Sequence, residues 1–340
     1  MPKKGDEPNE YMKQLHESLI NRDTTRFNSN TGVKYITSNG TAAKYIQYLR
    51  LINNGENFNN IDFLKDVDAV KSKIQHYKIT TQRNFISGII SVLSMYSSDK
   101  RYAKILDMYK DELFEILDKI KTLDPNERTE TQKANWVSMD DIQRKFNALY
   151  DKFMNYKDKP KLWPRDYNSL LSLVLLSLYT LIPPRRSQDY AEMYLTNGGK
   201  DLDVSKNYFD IDGMHFIFNT YKTQQTYGEQ IEELTEENDS KLLDIIEVYL
   251  KHHPVLKSGD FDSLEDVRFL VTKSGGRLYS TYINKILRRI FNKNVGPSIL
   301  RAVYTSYILA PEIEKLEDTA ESMGTSVNKL RQVYNKKDLY

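Results

Sequence analysis

Cysteine is absent from all 340 residues. That excludes a disulfide framework, a thiolate zinc site and a cysteine nucleophile, and it suits a reducing compartment. No apolar run reaches the roughly 18 residues that a membrane span needs; the longest is LLSLVLLSLYTLI at 170–182. The opening MPKKGDEPNEYMKQ lacks the apolar stretch of a secretory signal, so the cytosol or nucleus is the expected location. An excess of one charge is missing too, since 49 Lys and Arg face 47 Asp and Glu for a net charge of +2. Nucleic-acid binding would therefore depend on basic residues gathered on one face, not on overall charge. What is abundant is tyrosine, with 24 residues. Tyrosine serves core and interface by default, and can also stack on bases or contact phosphate.

Residues 1–30 are charged, polar and weakly periodic, and read as a flexible tail. Apolar residues then recur at helical spacing: Tyr45, Tyr48, Leu49 and Ile52 within 41–52, followed by segments 81–96, 104–123 and 138–156. Ser138 is the expected N-cap of the last, with Asp140 and Asp141 in its first turn. Residues 31–156 thus predict a helical domain. KDKPKLWPRD at 157–166, with two prolines, reads as a linker.

Residues 167–340 differ in character. An apolar helix over 167–182 should stop at Pro183 and Pro184, where the amide donor is missing. NYFDIDGMHFIFNTYKT holds two β-rich runs around Asp212-Gly213, a hairpin signal because such turns need positive φ. YGEQIEEL supplies a third strand, and three later segments return to helical periodicity. The expected fold class is mainly α with a small antiparallel β-sheet: a helical domain followed by a mixed α/β domain.

Four polar features stand out in the second half. In PPRRSQDY, Arg186 follows the helix stop with Asp189 three residues on, so a local carboxylate can hold its guanidinium; a solvated arginine at a helix start is the competing reading. Lys222 in TYKT sits where a strand meets a turn, a common place for an exposed lysine. Arg301 lies inside the apolar run ILRAVYTSYIL, where it must be paired or face a ligand, because a buried unpaired charge is too costly. MGTSVNKLRQVY carries Gly324 near its start and Tyr334 at its end.

In joint order and spacing, over roughly 165–340, these features resemble the tyrosine recombinase/integrase family. That family's first box, Arg-x-x-Glu/Asp, selects Arg186 with Asp189 over Arg185, whose counterpart would be Gln188. Its hairpin lysine matches Lys222. Its His-x-x-Arg box is matched by SILR at Arg301, with Ser298 in the histidine place. Its Leu-Gly-His box, followed by tyrosine nine residues later, is matched at Gly324 and Tyr334, with Thr325 in the histidine place. No histidine lies beyond His253. Variant boxes of this kind occur in viral and eukaryotic members, so the resemblance is to a divergent, virus- or mobile-element-like member.

The resemblance implies a helical core-binding domain, a mixed α/β catalytic domain, and a site-specific DNA recombinase/integrase acting through a covalent 3′-phosphotyrosyl intermediate. Tyr334 would be the nucleophile, Arg186 and Arg301 would neutralise the phosphorane-like transition state, Lys222 would protonate the leaving 5′-oxygen, and Asp189 would support Arg186. Ser298 and Thr325, as replacements for the histidines, can donate hydrogen bonds to phosphate but are poor bases near neutral pH. Catalysis is therefore expected to be slower, or more alkaline in its optimum, than in members with both histidines. The phosphotyrosyl bond conserves bond energy, so no metal and no cofactor are expected.

Double-stranded DNA is the implied partner, held as in a clamp between the two domains. Candidate phosphate contacts are Lys44, Lys78, Arg83, Lys100 and Arg101 in the first domain and Lys273, Arg277, Arg288 and Arg289 in the second. In TKSGGRLYS the two glycines would let the backbone approach phosphate closely, against the alternative of a plain turn with solvated charges. Assembly into a tetramer is expected on DNA, and a monomer without it, because NKKDLY after Tyr334 is too short to dock as a helix. A viral replication compartment joins the expected locations. Three other readings stay open: a type IB topoisomerase-like strand-passage enzyme, a catalytically weakened DNA-binding protein of the same fold, and a helical scaffold in which the boxes are coincidental.

Overall fold

The computed structural model describes residues 7–22, 37–123, 127–198, 202–256, 264 and 266–330. They form two compact units that divide between Glu127 and Arg128.

The first unit contains α1 (Glu10–Asn21), α2 (Asn39–Ile52), α3 (Val67–Ile74), α4 (Ile79–Leu93) and α5 (Lys100–Lys121). Helix α1 falls inside the segment expected to be a flexible tail. Its charge masks a stripe of Met12, Leu15 and Leu19, all buried in the unit's core. Asn9 caps it by accepting from the Met12 amide at 3.0 Å, while its own side-chain amide donates to the Phe58 carbonyl. Where α2 meets α4, the Tyr48 and Phe85 rings lie 4.4 Å apart between centroids. A Cβ at Gly88 would come within 3.0 Å of the Tyr45 ring, so glycine permits this close crossing.

The second unit begins earlier than the linker expected at 157–166. It contains α6 (Glu130–Asn135), α7 (Met139–Met154) and α8 (Pro164–Ser177). Ser138 does cap α7, accepting from the Asp141 amide at 3.0 Å. The apolar stripe of α7, however, packs on α8: Ile142, Phe146 and Phe153 join the second core, as does Leu162 from the supposed linker. Pro164, taken as a linker residue, is the first residue of α8, where a missing amide costs nothing. Helix α8 is apolar around most of its circumference because it is the buried centre of the unit, packed by α7, by α11 (Glu236–Lys251) and by α12 (Ser280–Phe291). It ends at Ser177, before the prolines, in a series of turns.

A four-stranded sheet covers one part of this core, in the order β1 (Met193–Thr196), β2 (Asn207–Asp210), β3 (His215–Phe218) and β4 (Gln230–Glu233). It is mixed, not antiparallel: β1, which has no sequence signal beyond four residues, pairs in parallel with β2. The other two pairings are antiparallel, with Phe209 opposite Phe216 and Ile217 opposite Ile231. In the β2–β3 turn the positive φ falls on Met214 and not on Gly213. Glycine at 213 leaves room for the His215 ring, which a Cβ there would meet.

Short helices α9 (Ser187–Ala191) and α10 (Gln224–Tyr227) flank β1 and β4. After α12 come α13 (Pro297–Tyr304), one π-helical turn (Thr305–Leu309), α14 (Ala310–Ser322) and α15 (Val327–Lys329). Pro311 accounts for the wide turn: it has no amide to donate, and its ring crowds the preceding helical turn. Beyond Tyr304 the described chain is largely exposed except at Ala320, and Leu309, Ile313, Leu316 and Met323 form an uncovered stripe along α14. No helix among the described residues is long and apolar enough to cross a membrane.

His253, just past α11, is 2 % exposed. Its Nε2 lies 3.0 Å from the Arg268 carbonyl and must carry the proton, while Nδ1 is buried without a hydrogen-bond partner among the described residues. Burial pushes its pKa down to about 4. The unfolded imidazole takes up its proton below about pH 6.5, so protons favour unfolding through this window. Stability from this residue is complete above about pH 6.5 and falls by about 3 kcal/mol towards pH 4. Urea unfolding of the second unit at pH 7 and pH 4.5 checks this. His253→Gln should flatten the difference, and an unchanged pH dependence in that variant would contradict it.

Candidate active site

The segment that follows α8 folds back across the sheet and carries two adjacent arginines with opposite environments. Arg185 is consumed by the fold. Its guanidinium stacks on Phe218 at 3.7 Å and on Tyr221 at 4.8 Å, donates to Gln230 Oε1 at 2.8 Å, and approaches Asp189 Oδ2 at 3.6 Å. Arg186 is half-buried, and its guanidinium has no hydrogen bond or ion pair among the described residues. Only its backbone is engaged, donating from the amide to Asp189 Oδ2 at 3.3 Å. Asp189 thus organises the turn, holding Arg185 by its side chain and Arg186 by its main chain.

Asp189 is buried, and burial pushes its carboxyl above the ordinary value. Arg185, the Arg186 amide and the guanidiniums of Arg186 and Arg301 oppose this. Three guanidiniums therefore lie within electrostatic reach of Asp189, and although Glu232 on β4 offsets part of the Arg185 charge, a surplus of positive charge is left in a partly dehydrated place. Such a surplus is relieved by an anion.

Arg301 reaches this place from α13. Its Nε donates to the Pro184 carbonyl at 3.0 Å, across 117 positions of sequence. Proline at 184 has no amide of its own, and its carbonyl precedes Arg185 directly, so this bond sets Arg301 beside the arginine turn. Tyr179, 1 % exposed, has a buried hydroxyl with no hydrogen-bond partner among the described residues and also feels Arg301 and Asp189. Burial keeps that phenol protonated.

Lys222 is exposed, on the connection between β3 and β4. The residue that ties this connection to the arginine turn is Asn207, 1 % exposed at the start of β2. Its amide donates to the Asp189 carbonyl at 3.1 Å and to the Thr220 carbonyl at 2.9 Å, while its oxygen accepts from the Thr220 amide at 2.8 Å. Tyr221, stacked on Arg185, adds a second tie. The structure therefore brings together Arg186, Arg301, Asp189 and the segment bearing Lys222. Sequence reading passed over Arg185, Asn207 and Tyr179; only the doubled arginine after a doubled proline hinted at a special turn.

Ser298 is exposed one helical turn before Arg301. Gly324 has φ +61 and closes α14, with its amide bonded to Glu321 and that of Thr325 to Ala320. The glycine is thus a helix stop, needed for its left-handed conformation. Thr325 is half-buried and makes no described contact with Arg186, Lys222 or Arg301. Tyr334 lies outside the described residues.

The nine basic residues expected to meet phosphate are not equivalent. In the first unit, Lys78 and Arg83 lie at one end of α4. Lys100 and Arg101 follow its other end, about 20 Å away for a helix of this length. Lys44, on α2, lies over the Tyr48 ring at 5.3 Å. Arg83 donates to Asn84, and Arg101 is tied to Asp99. In the second unit Arg277 is paired with Glu192, which also accepts from Arg268 at 3.1 Å, and Lys273 lies over the Tyr167 ring at 4.9 Å. The TKSGGRLYS loop forms a small hairpin tip, its Gly275 and Gly276 amides bonded to Thr272. Arg288 and Arg289 are exposed in the last turn of α12, with no side-chain partner among the described residues.

No protein-family model matches the chain, and neither a curated protein nor a solved structure matches it significantly.

Proposed function

We propose that this protein cleaves and rejoins double-stranded DNA as a tyrosine recombinase, through a covalent 3′-phosphotyrosyl intermediate. The observation that carries the reading is the convergence of Arg186 and Arg301 through the Pro184 carbonyl, with Asn207 tying the Lys222 segment to the same turn. In the reaction, the Tyr334 hydroxyl gives up its proton to solvent as its oxygen attacks phosphorus, the bond to the 5′-oxygen breaks, and Lys222 delivers a proton to that oxygen. Arg186 and Arg301 receive the charge that builds on the non-bridging oxygens. Their planar forks suit that geometry. Ser298, a turn from Arg301, donates a hydrogen bond to the same phosphate in place of a histidine. The uncovered apolar stripe of α14 supports self-association on DNA, with a tetramer as the working assembly. The setting would be a cell's nucleus or cytoplasm, or a viral replication compartment, on behalf of a virus or mobile element.

Incubation with nicked suicide duplexes tests this, followed by denaturing electrophoresis. The wild type is expected to give a protein–DNA adduct and Tyr334→Phe none. Binding of duplex DNA without any adduct would sink the enzyme reading and leave the weakened DNA-binding protein, which the serine and threonine in the histidine places favour.

A further inference from the structure

Between the end of α7 and the start of α8 lies an open cleft of about 410 Å³, contained in the second unit and unconnected with any residue assigned above. Lys152, Lys159, Arg165, Tyr156, Ser169 and Asp166 line it. Asp166 stands 3.6 Å from Lys159 and 3.9 Å from Arg165, which lie at the exposed rim of the cleft. Three cations against one carboxylate leave the cleft positive.

Two further features point to what it holds. Tyr156 is only 4 % exposed, yet its hydroxyl, like that of Ser169, is buried with no well-formed hydrogen bond among the described residues. The two hydroxyls face one another closely enough for a weak attraction that falls short of hydrogen-bond geometry. Buried hydroxyls are ordinarily paired, and an orphan costs stability. Helix α8 also starts here with no side-chain cap: Pro164 has no amide, and those of Arg165 and Asp166 reach no intrahelical carbonyl. Cations, unpartnered O–H donors and open helix amides are all complementary to an oxyanion.

We infer that this cleft is a binding site for a phosphate group, taken between the Tyr156 and Ser169 hydroxyls at the start of α8 and neutralised by Lys152, Lys159 and Arg165. The phosphate belongs either to a free phosphoryl compound or to a DNA backbone. The inference does not rest on strand cleavage, because binding can be read without any DNA.

The test uses the full chain, with inorganic pyrophosphate as the first probe and a short duplex of arbitrary sequence as the second. Pyrophosphate should bind saturably in calorimetry and raise the unfolding temperature. Tyr156→Phe and Arg165→Gln should each weaken binding of whichever ligand is taken by roughly tenfold. Without anion, Tyr156→Phe should be at least as stable as the wild type, since it removes an unpartnered polar group and keeps the ring in the core. Displacement of pyrophosphate by duplex, or a tenfold loss in duplex affinity alone, assigns the site to the DNA backbone. Pyrophosphate binding that duplex does not displace assigns it to free phosphoryl compounds. If neither ligand is affected by either substitution, or if Tyr156→Phe destabilises the anion-free protein, the site is refuted.

Discussion

Arg185→Ala is expected to destabilise the second unit by about 3–5 kcal/mol, the cost of breaking a buried ion pair by removing one partner. Its neighbour, Arg186→Ala, should stay within about 0.5 kcal/mol of the wild type. The difference arises from what each guanidinium touches. Removing Arg185 strips the Asp189 carboxylate of its nearest cation, exposes the faces of Phe218 and Tyr221, and leaves Gln230 without its donor. Asp189 has only 5 % side-chain exposure, so its charge depends on this neighbour more than on solvent. Denaturant unfolding, followed on the transition of the second unit, measures both variants. The double variant Arg185→Ala with Asp189→Asn should recover part of the loss, because it removes the stranded charge. Lowering the pH should narrow the Arg185→Ala deficit as Asp189 takes up a proton. Equal stability of the two single variants would overturn this assignment of roles.

Arg186→Ala and Arg301→Ala are each expected to slow covalent capture of a suicide duplex by about 10²–10³, the scale on which a preorganised donor to a developing oxyanion contributes. For Arg301→Ala, folding is expected to change little: the side chain is half-buried, and the Pro184 carbonyl it releases stands in a turn that Asp189 and Asn207 already hold. Lysine should rescue neither position fully, because a point charge cannot reproduce the planar fork. Single-turnover rates at saturating enzyme separate slower chemistry from weaker binding. Capture by Arg301→Ala at the wild-type rate would remove this arginine from the site, and with it the observation on which the recombinase reading rests.

The same contrast shows how far sequence reading reaches. Choosing Arg186 over Arg185 required a family pattern, since two adjacent arginines are identical to any local rule. Local rules did succeed where the physics is local. Periodicity of apolar residues located α2, α4, α5, α7 and α11, Ser138 announced a cap that forms, and Asp212-Gly213 marked a turn that exists. They failed for α1, whose three buried residues are too few to show through the surrounding charge. They failed again for β1, whose four residues pair in parallel with a strand that lies beyond an intervening segment. Pro160 and Pro164 look like a linker to a composition rule, but Pro164 begins the central helix of a core.

The sequence by itself determined the helical content, the β2–β3 turn, the position of the arginine turn after a proline stop, and the placing of an arginine inside an apolar helix. Each of these depends on residues within a few positions of one another. Only the tertiary structure decided that α7 belongs to the second unit, that the sheet is mixed, that Arg185 is spent on Asp189, and that Arg301 closes on Pro184. It also decided that Asn207, an unremarkable asparagine in the sequence, joins the arginine turn to the Lys222 segment. Those outcomes depend on burial and on bonds between residues far apart along the chain, up to 117 positions for Arg301 and Pro184, and no local pattern of residues encodes which distant group will supply the partner.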